Sequence, residues 1–126
     1  MDNKLEINRS TIRISNLALR TIIGFNDWER REHQDVIINV CAECDCSNAV
    51  VSDNIGDSVD YKQIKRDVVL LVEESSFNLL ESLTHAVLEA VVRRPGVIEA
   101  TVRIDKPHAL RFADSVSVEM SGRHVP

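Results

Sequence analysis

The spacing of apolar residues changes twice along this chain, and the order of those changes limits its fold more than any other feature. Ile12 and Ile14 alternate with Arg13 and Ser15, which predicts a strand from about Thr11 to Arg20. Asp35 to Asp45 is rich in β-branched residues and predicts a second strand. From Asp60 the spacing becomes helical, with Ile64, Val68, Leu71 and Val72 on one face up to about Glu74. A second stripe, Leu80, Leu83, Val87, Leu88 and Val91, begins near Asn78 and stops at Arg93-Arg94-Pro95-Gly96. Asp60 with Gln63, and Asn78 with Glu81, are each spaced as a capping box. Alternation returns in Ile98, Ala100, Val102 and Ile104 over Val97 to Lys106, and in Val116, Val118 and Met120 over Asp114 to Ser121.

The order ββααββ predicts an α+β fold, a four-stranded antiparallel sheet with two helices on one face. Such a sheet has two open edges and an uncovered face, so closure against copies of the same chain is expected. Gly24-Phe25-Asn26-Asp27 reads as a turn, Trp28 to His33 as a charged loop, and Ser47 to Ser58 as a polar loop. Residues 1–10 are polar and expected to be frayed. Nothing resembling a linker or repeat divides the 126 residues, so one domain over 1–126 is expected, with its core at about 11–121.

Bulk properties remove several classes of function. No apolar run approaches the roughly 20 residues needed to cross a bilayer, and no secretory signal opens the chain. A cytoplasmic protein without a membrane partner is expected. The net charge is −5 and no basic stripe is present, so nucleic acid is not expected as a partner. Cys41, Cys44 and Cys46 cluster, but no second ligand pair at zinc spacing accompanies them, and His33, His85, His108 and His124 are scattered. They read as ordinary strand cysteines, with no metal and no cofactor expected.

Several polar residues have both a plain and a chemical reading. Glu81 could simply cap a helix, yet its carboxylate also offers two acceptors to a ligand with adjacent donors. Lys106 ends a strand before Pro107, where a solvated Lys is common; partly desolvated, its amine could move protons near neutral pH. Tyr61, the only Tyr, lies in the first turn of a helix, and Glu29 sits within a run of charges.

Three segments in order, Ser58-Val59-Asp60-Tyr61, Asn78-Leu79-Leu80-Glu81 and Val102-Arg103-Ile104-Asp105-Lys106, resemble the family of dihydroneopterin aldolases and 2′-epimerases. The resemblance runs from about Ile12 to Ser121. Lys106 to Ser117 is more similar to the epimerase branch. Where aldolases usually carry Tyr-Gly-x-His-Gly, this chain has Thr21-Ile22-Ile23-Gly24. The resemblance implies the tunnelling fold, in which four subunits close their sheets into a barrel and two rings stack as a homo-octamer. It implies sites between subunits that take a small pterin. Glu81 would anchor the pterin with the Leu80 backbone beside it, and Lys106, Tyr61 and Glu29 would be catalytic. Tyr61 and the Val59 backbone would come from the adjacent subunit. The implied reaction inverts C2′ of 7,8-dihydroneopterin triphosphate to give the dihydromonapterin epimer, by retro-aldol and aldol steps. Arg20, His108 and Arg111 could hold the triphosphate, Arg through bidentate contacts, or could be solvated surface charge. Two rival readings are the aldolase reaction, which releases glycolaldehyde, and a non-catalytic pterin- or purine-binding assembly.

Overall fold

The computed structural model describes residues 5–7 and 9–126; the fraying expected of residues 1–4 and 8 lies outside the described residues. Two strands open the chain, β1 (Ser10–Thr21) and β2 (Gln34–Cys44). A single helical turn, α1 (Ala49–Ser52), and a 3-10 turn over Ile55–Asp57 interrupt the segment read as a polar loop. The helices α2 (Tyr61–Glu74) and α3 (Leu80–Val92) follow, then β3 (Val97–Pro107) and β4 (Ser115–Gly122). The strands form one antiparallel sheet in the order β1-β2-β3-β4.

Period-two burial explains why the helices cover one face only. Val36, Ile38, Val40, Ala42 and Cys44 of β2 are buried, with Ala100, Val102 and Ile104 of β3 opposite the same row. Ile64, Val68 and Val72 of α2, and Leu83, Val87 and Val91 of α3, close over them. Thr84 is buried in that layer, and its hydroxyl donates to the Leu80 carbonyl at 2.8 Å. The helix-free face carries Arg13, Asn39, Cys41, Thr101, Arg103 and Glu119 at the alternate positions. Cys41 and Cys44 therefore sit on opposite faces, and burial pushes the Cys44 thiol up. No described helix is long and apolar enough to cross a membrane.

Two local expectations are corrected. β1 is not a straight alternation, because the register slips between Ile14 and Leu17. Ser15 and Asn16 bulge opposite Asn39, with Asn16 at φ 54° and its N–H donating to Asn39 Oδ1 at 2.9 Å. The bulge returns Leu17 and Leu19 to the face of Ile12 and Ile14. The second capping box does not form: Leu79 is the N-cap of α3, no side chain caps it, and Asn78 lies one residue outside. The Leu79 carbonyl already accepts from the N–H groups of Ser82 and Leu83, at 3.1 and 3.2 Å. By contrast Asp60 caps α2, accepting from the Lys62 N–H at 3.0 Å.

The C-terminal end of α3 is tied to the middle of α2. Arg94 holds Asp67 of α2 with two hydrogen bonds, at 2.5 and 2.7 Å. Gly96, at φ +90°, turns the chain from α3 into β3 directly beneath Val59.

Candidate active site

Alternation along β3 places Lys106 on the helix-covered face, in register with Val116 of β4. Its side chain is only 15% exposed and donates from Nζ to Glu29 Oε2; the Glu29 side chain is 6% exposed. The other Glu29 oxygen accepts from Asn26, from Nδ2 at 2.7 Å and from the backbone N–H at 3.3 Å. Burial pushes the Glu29 carboxyl up, but the Lys106 ammonium and the Asn26 donors outweigh it and hold the group below the usual carboxylate range. The pair is thus largely shielded from water, with both carboxylate oxygens occupied.

Gly24 makes the placement of Glu29 possible. It sits at φ +121°, and a Cβ there would lie 2.2 Å from the Glu29 carboxyl carbon. Gly24→Ala therefore meets both backbone strain and a clash with the buried carboxylate. We expect a destabilisation above about 1 kcal/mol, read as a melting temperature lower by several degrees, together with loss of turnover. An unchanged melting temperature would show that the loop relaxes freely.

The start of α3 lies at this same end of the molecule. The Gly24 N–H donates to the Phe77 carbonyl at 3.1 Å, just before Leu80 and Glu81. Leu80 is buried, whereas Glu81 is exposed beside the first N–H groups of an α3 terminus that no side chain caps. A groove of about 520 Å³ runs from Phe77 and Glu81 past His85 to Met120 of β4. The groove offers a flat, donor-rich ligand the Glu81 carboxylate; Lys106 and Glu29 do not line it but connect to its Phe77 end through Gly24.

Tyr61 and Val59 are not brought to this place. Val59 lies against Gly96, just before the opposite end of β3, and Tyr61 opens α2 two residues later; Val97, where β3 begins, is nine residues from Lys106, about 30 Å along a strand. Tyr61 is 56% exposed. Arg20 falls on the helix-free face across from Asp35, with Nε 3.3 Å from the Asp35 carboxylate and Nη2 donating to the His33 carbonyl at 2.9 Å. His108 and Arg111 belong to the loop that follows Lys106. His108 has φ 59° and donates its N–H to the Asp114 carbonyl at 2.9 Å; Arg111 lies over the Phe112 ring at 5.3 Å. Among the described residues no three His, Cys, Asp or Glu side chains converge as a metal site.

Three contributors escape sequence reasoning. Asn26 and Arg30 look like ordinary loop residues, and only the tertiary turn at Gly24 gives them partners. Asp105, next to Lys106, is buried on the helix-free face, held by Arg103 at 2.8 and 3.2 Å and by the Ser115 hydroxyl at 2.7 Å. The Arg103 guanidinium holds its carboxyl below the usual range. An acidic residue facing a polar row two positions from an Arg is the signal that could have found it.

The family described as "FolB: Dihydroneopterin aldolase" matches residues 12–121. Dihydroneopterin triphosphate 2′-epimerase of Pseudomonas aeruginosa is 40% identical over 119 residues, covering 94% of this chain and 97% of that protein. The Escherichia coli K12 protein of the same name is 43% identical over 110 residues, covering 87% and 92%. A crystal structure of E. coli dihydroneopterin aldolase in complex with neopterin superposes with a TM-score of 0.85 at 28% identity, covering 90% of this chain and 98% of that one. The four-stranded sheet with two helices on one face is thus the tunnelling fold of these enzymes. On both the sequence match and the superposition, the chain belongs to the dihydroneopterin aldolase family.

Proposed function

We propose that this protein is a dihydroneopterin triphosphate 2′-epimerase, and the observation that carries the reading is the buried Lys106–Glu29 pair at the same end as Glu81. Glu81 accepts from the adjacent ring N–H and amino donors of the pterin, with the Leu80 backbone beside it. Lys106 moves the proton between the 2′-hydroxyl and the ring, and Glu29 holds its ammonium form in place. The C1′–C2′ bond breaks, its electron pair passes into the dihydropterin ring, and the former 2′-carbinol becomes an aldehyde carrying the triphosphate. Re-addition to the other face of that aldehyde reforms the bond with C2′ inverted. Nothing is oxidised or reduced overall, and no cofactor is consumed.

Tyr61 assists in this reading, delivered with the Val59 backbone by a neighbouring copy. Support comes from the length of β3 between Lys106 and the Val59–Gly96 contact, about 30 Å, and from β1 and β4, which among the described residues end the strand order. Rings of four, stacked as an octamer, would satisfy both. The reading keeps the cytoplasmic location expected from the sequence. Identity favours the epimerase reaction over the aldolase: the E. coli K12 dihydroneopterin aldolase is 30% identical over 105 residues, below the epimerases.

The triphosphate is assigned to the loop carrying His108 and Arg111, because it follows Lys106 directly; Arg20, engaged with Asp35 on the other face, fits the reading as solvated surface charge. Reversing the charge at Arg111 should raise KM for the triphosphate at least about tenfold and leave KM for dihydroneopterin nearly unchanged. The preference should also weaken with salt, because exposed charges are screened beyond about 8 Å at physiological ionic strength. Incubation with 7,8-dihydroneopterin triphosphate, followed by chromatographic resolution of the epimers, tests the whole reading. Dominant 6-hydroxymethyl-dihydropterin would make the protein an aldolase, and binding without turnover would make it a pterin-binding assembly.

A further inference from the structure

Arg30 follows Glu29 in the charge run Glu29-Arg30-Arg31-Glu32, where nothing in the sequence separates it from Arg31. Their partners differ. Among the described residues the Arg31 guanidinium donates only within its own loop, to the Asp27 carbonyl. Arg30 reaches three main-chain carbonyls: Nη1 donates to Gly24 and to Phe77, each at 3.1 Å, and Nη2 donates to Ser76 at 2.6 Å. The Gly24 N–H donates to the same Phe77 carbonyl, so both lone pairs of that oxygen are used. A planar guanidinium suits this task because its donors are fixed in a fork, whereas a Lys ammonium is a point charge on a flexible stem.

Each end of this clamp continues into the candidate site. On one side the Glu29 carboxylate lies against Gly24, with no space for a Cβ between them. On the other, Phe77 lies three residues before Leu80 and four before Glu81. A path of direct contacts thus runs from Lys106 through Glu29, Gly24 and Arg30 to the start of α3. We infer that Arg30 is a positioning residue that locks the Glu29–Lys106 pair to the pterin-anchoring start of α3. The inference rests on the proposed roles of Lys106, Glu29 and Glu81, and it adds a residue which that reading does not use. Arg30 touches no reacting atom. It acts by keeping the proton-handling pair at a fixed distance from a ring held elsewhere, and a displacement of about 1 Å costs about a hundredfold in rate. Its loss therefore falls on kcat, while ring affinity, supplied at Glu81, is spared.

The test uses the full-length protein with Arg30→Gln and Arg30→Lys. Turnover of 7,8-dihydroneopterin triphosphate gives kcat and KM, fluorescence titration gives the affinity for neopterin, and amide hydrogen exchange is followed with and without neopterin. Both variants should lose at least about tenfold in kcat, with neopterin affinity held within about threefold. In the wild type, neopterin should protect amides over residues 24–30 as well as 79–83; in the variants protection should remain at 79–83 and vanish at 24–30. Arg30→Lys should not rescue, because one ammonium cannot hold three carbonyls, and it keeps the test readable should Arg30→Gln fail to fold. Wild-type kcat in either variant, full rescue by Lys, or retained protection at 24–30 would overturn the inference. A wild-type protein that turns over neither triphosphate nor dihydroneopterin would sink the proposed function instead, and the exchange comparison would still decide the clamp.

Discussion

Lys106→Ala should lower turnover by about a hundredfold to ten-thousandfold, the usual cost of removing one positioned acid–base group. The structure adds a complication. Glu29 is buried, so removing Lys106 alone leaves a carboxylate with only the Asn26 donors, and breaking a buried pair costs up to about 3–5 kcal/mol of stability. In the wild type the depressed Glu29 group contributes stability that is present above the ordinary carboxylate range and is lost as pH falls through its lowered folded value. Without Lys106 only the Asn26 donors oppose burial, so the folded value rises from its wild-type position and the stability gained above the carboxylate range should shrink. Lys106→Met combined with Glu29→Gln removes both charges and should recover most of the stability while remaining inactive. A paired variant that is stable and retains more than about half of the activity would sink the catalytic assignment. The position of Tyr61 allows a second reading of the same variant. If, as proposed, each interface draws Lys106 and Glu29 from one copy and Tyr61 from the next, mixing Lys106→Met/Glu29→Gln subunits with Tyr61→Ala subunits, unfolded and refolded together, should restore about one site in four.

The two long helices and β2 to β4 were legible because each follows one apolar period, whereas α1 and the 3-10 turn carry none and were read as loop. Ile64, Val68 and Val72 mark α2, and Val36, Ile38 and Val40 mark the covered face of β2. The bulge in β1 was written in the sequence as a change of parity, from Ile12 and Ile14 to Leu17 and Leu19, but reading a single alternation hides it. The Asn78–Glu81 spacing matches a capping box and fails because the helix starts one residue later, with its first carbonyl contacts at Leu79. That failure leaves the Glu81 carboxylate free of a capping role. The site was legible only where a residue resembles a family position. The burial of Glu29 depends on a left-handed turn at Gly24 and on Arg30 reaching Ser76 and Phe77, contacts between segments more than forty residues apart. Nor does the sequence show that Val59 lies at the far end of β3 from Lys106; only its contact with Gly96 does.

Glu81→Ala should weaken neopterin binding severely while leaving the fold almost untouched. A carboxylate that accepts two hydrogen bonds from a ring edge contributes roughly 1.5–3 kcal/mol for each, so losing both predicts a drop of at least about a hundredfold in affinity. Stability should change little, because Glu81 is exposed and α3 has no side-chain cap to lose. The remaining helix effect is the loss of one negative charge in the first turn, worth about 0.3–1 kcal/mol at most. Binding and folding thus separate at this residue in a way they cannot at Glu29, whose carboxylate is buried against Lys106. Glu81→Gln sharpens the result: it keeps the shape and one acceptor but turns the other into a donor facing a donor, so it should bind almost as poorly as Glu81→Ala. Titration of neopterin fluorescence alongside thermal melts measures both quantities. Unchanged affinity in Glu81→Ala would move the pterin away from the start of α3, and the proposed geometry of the reaction would fall with it.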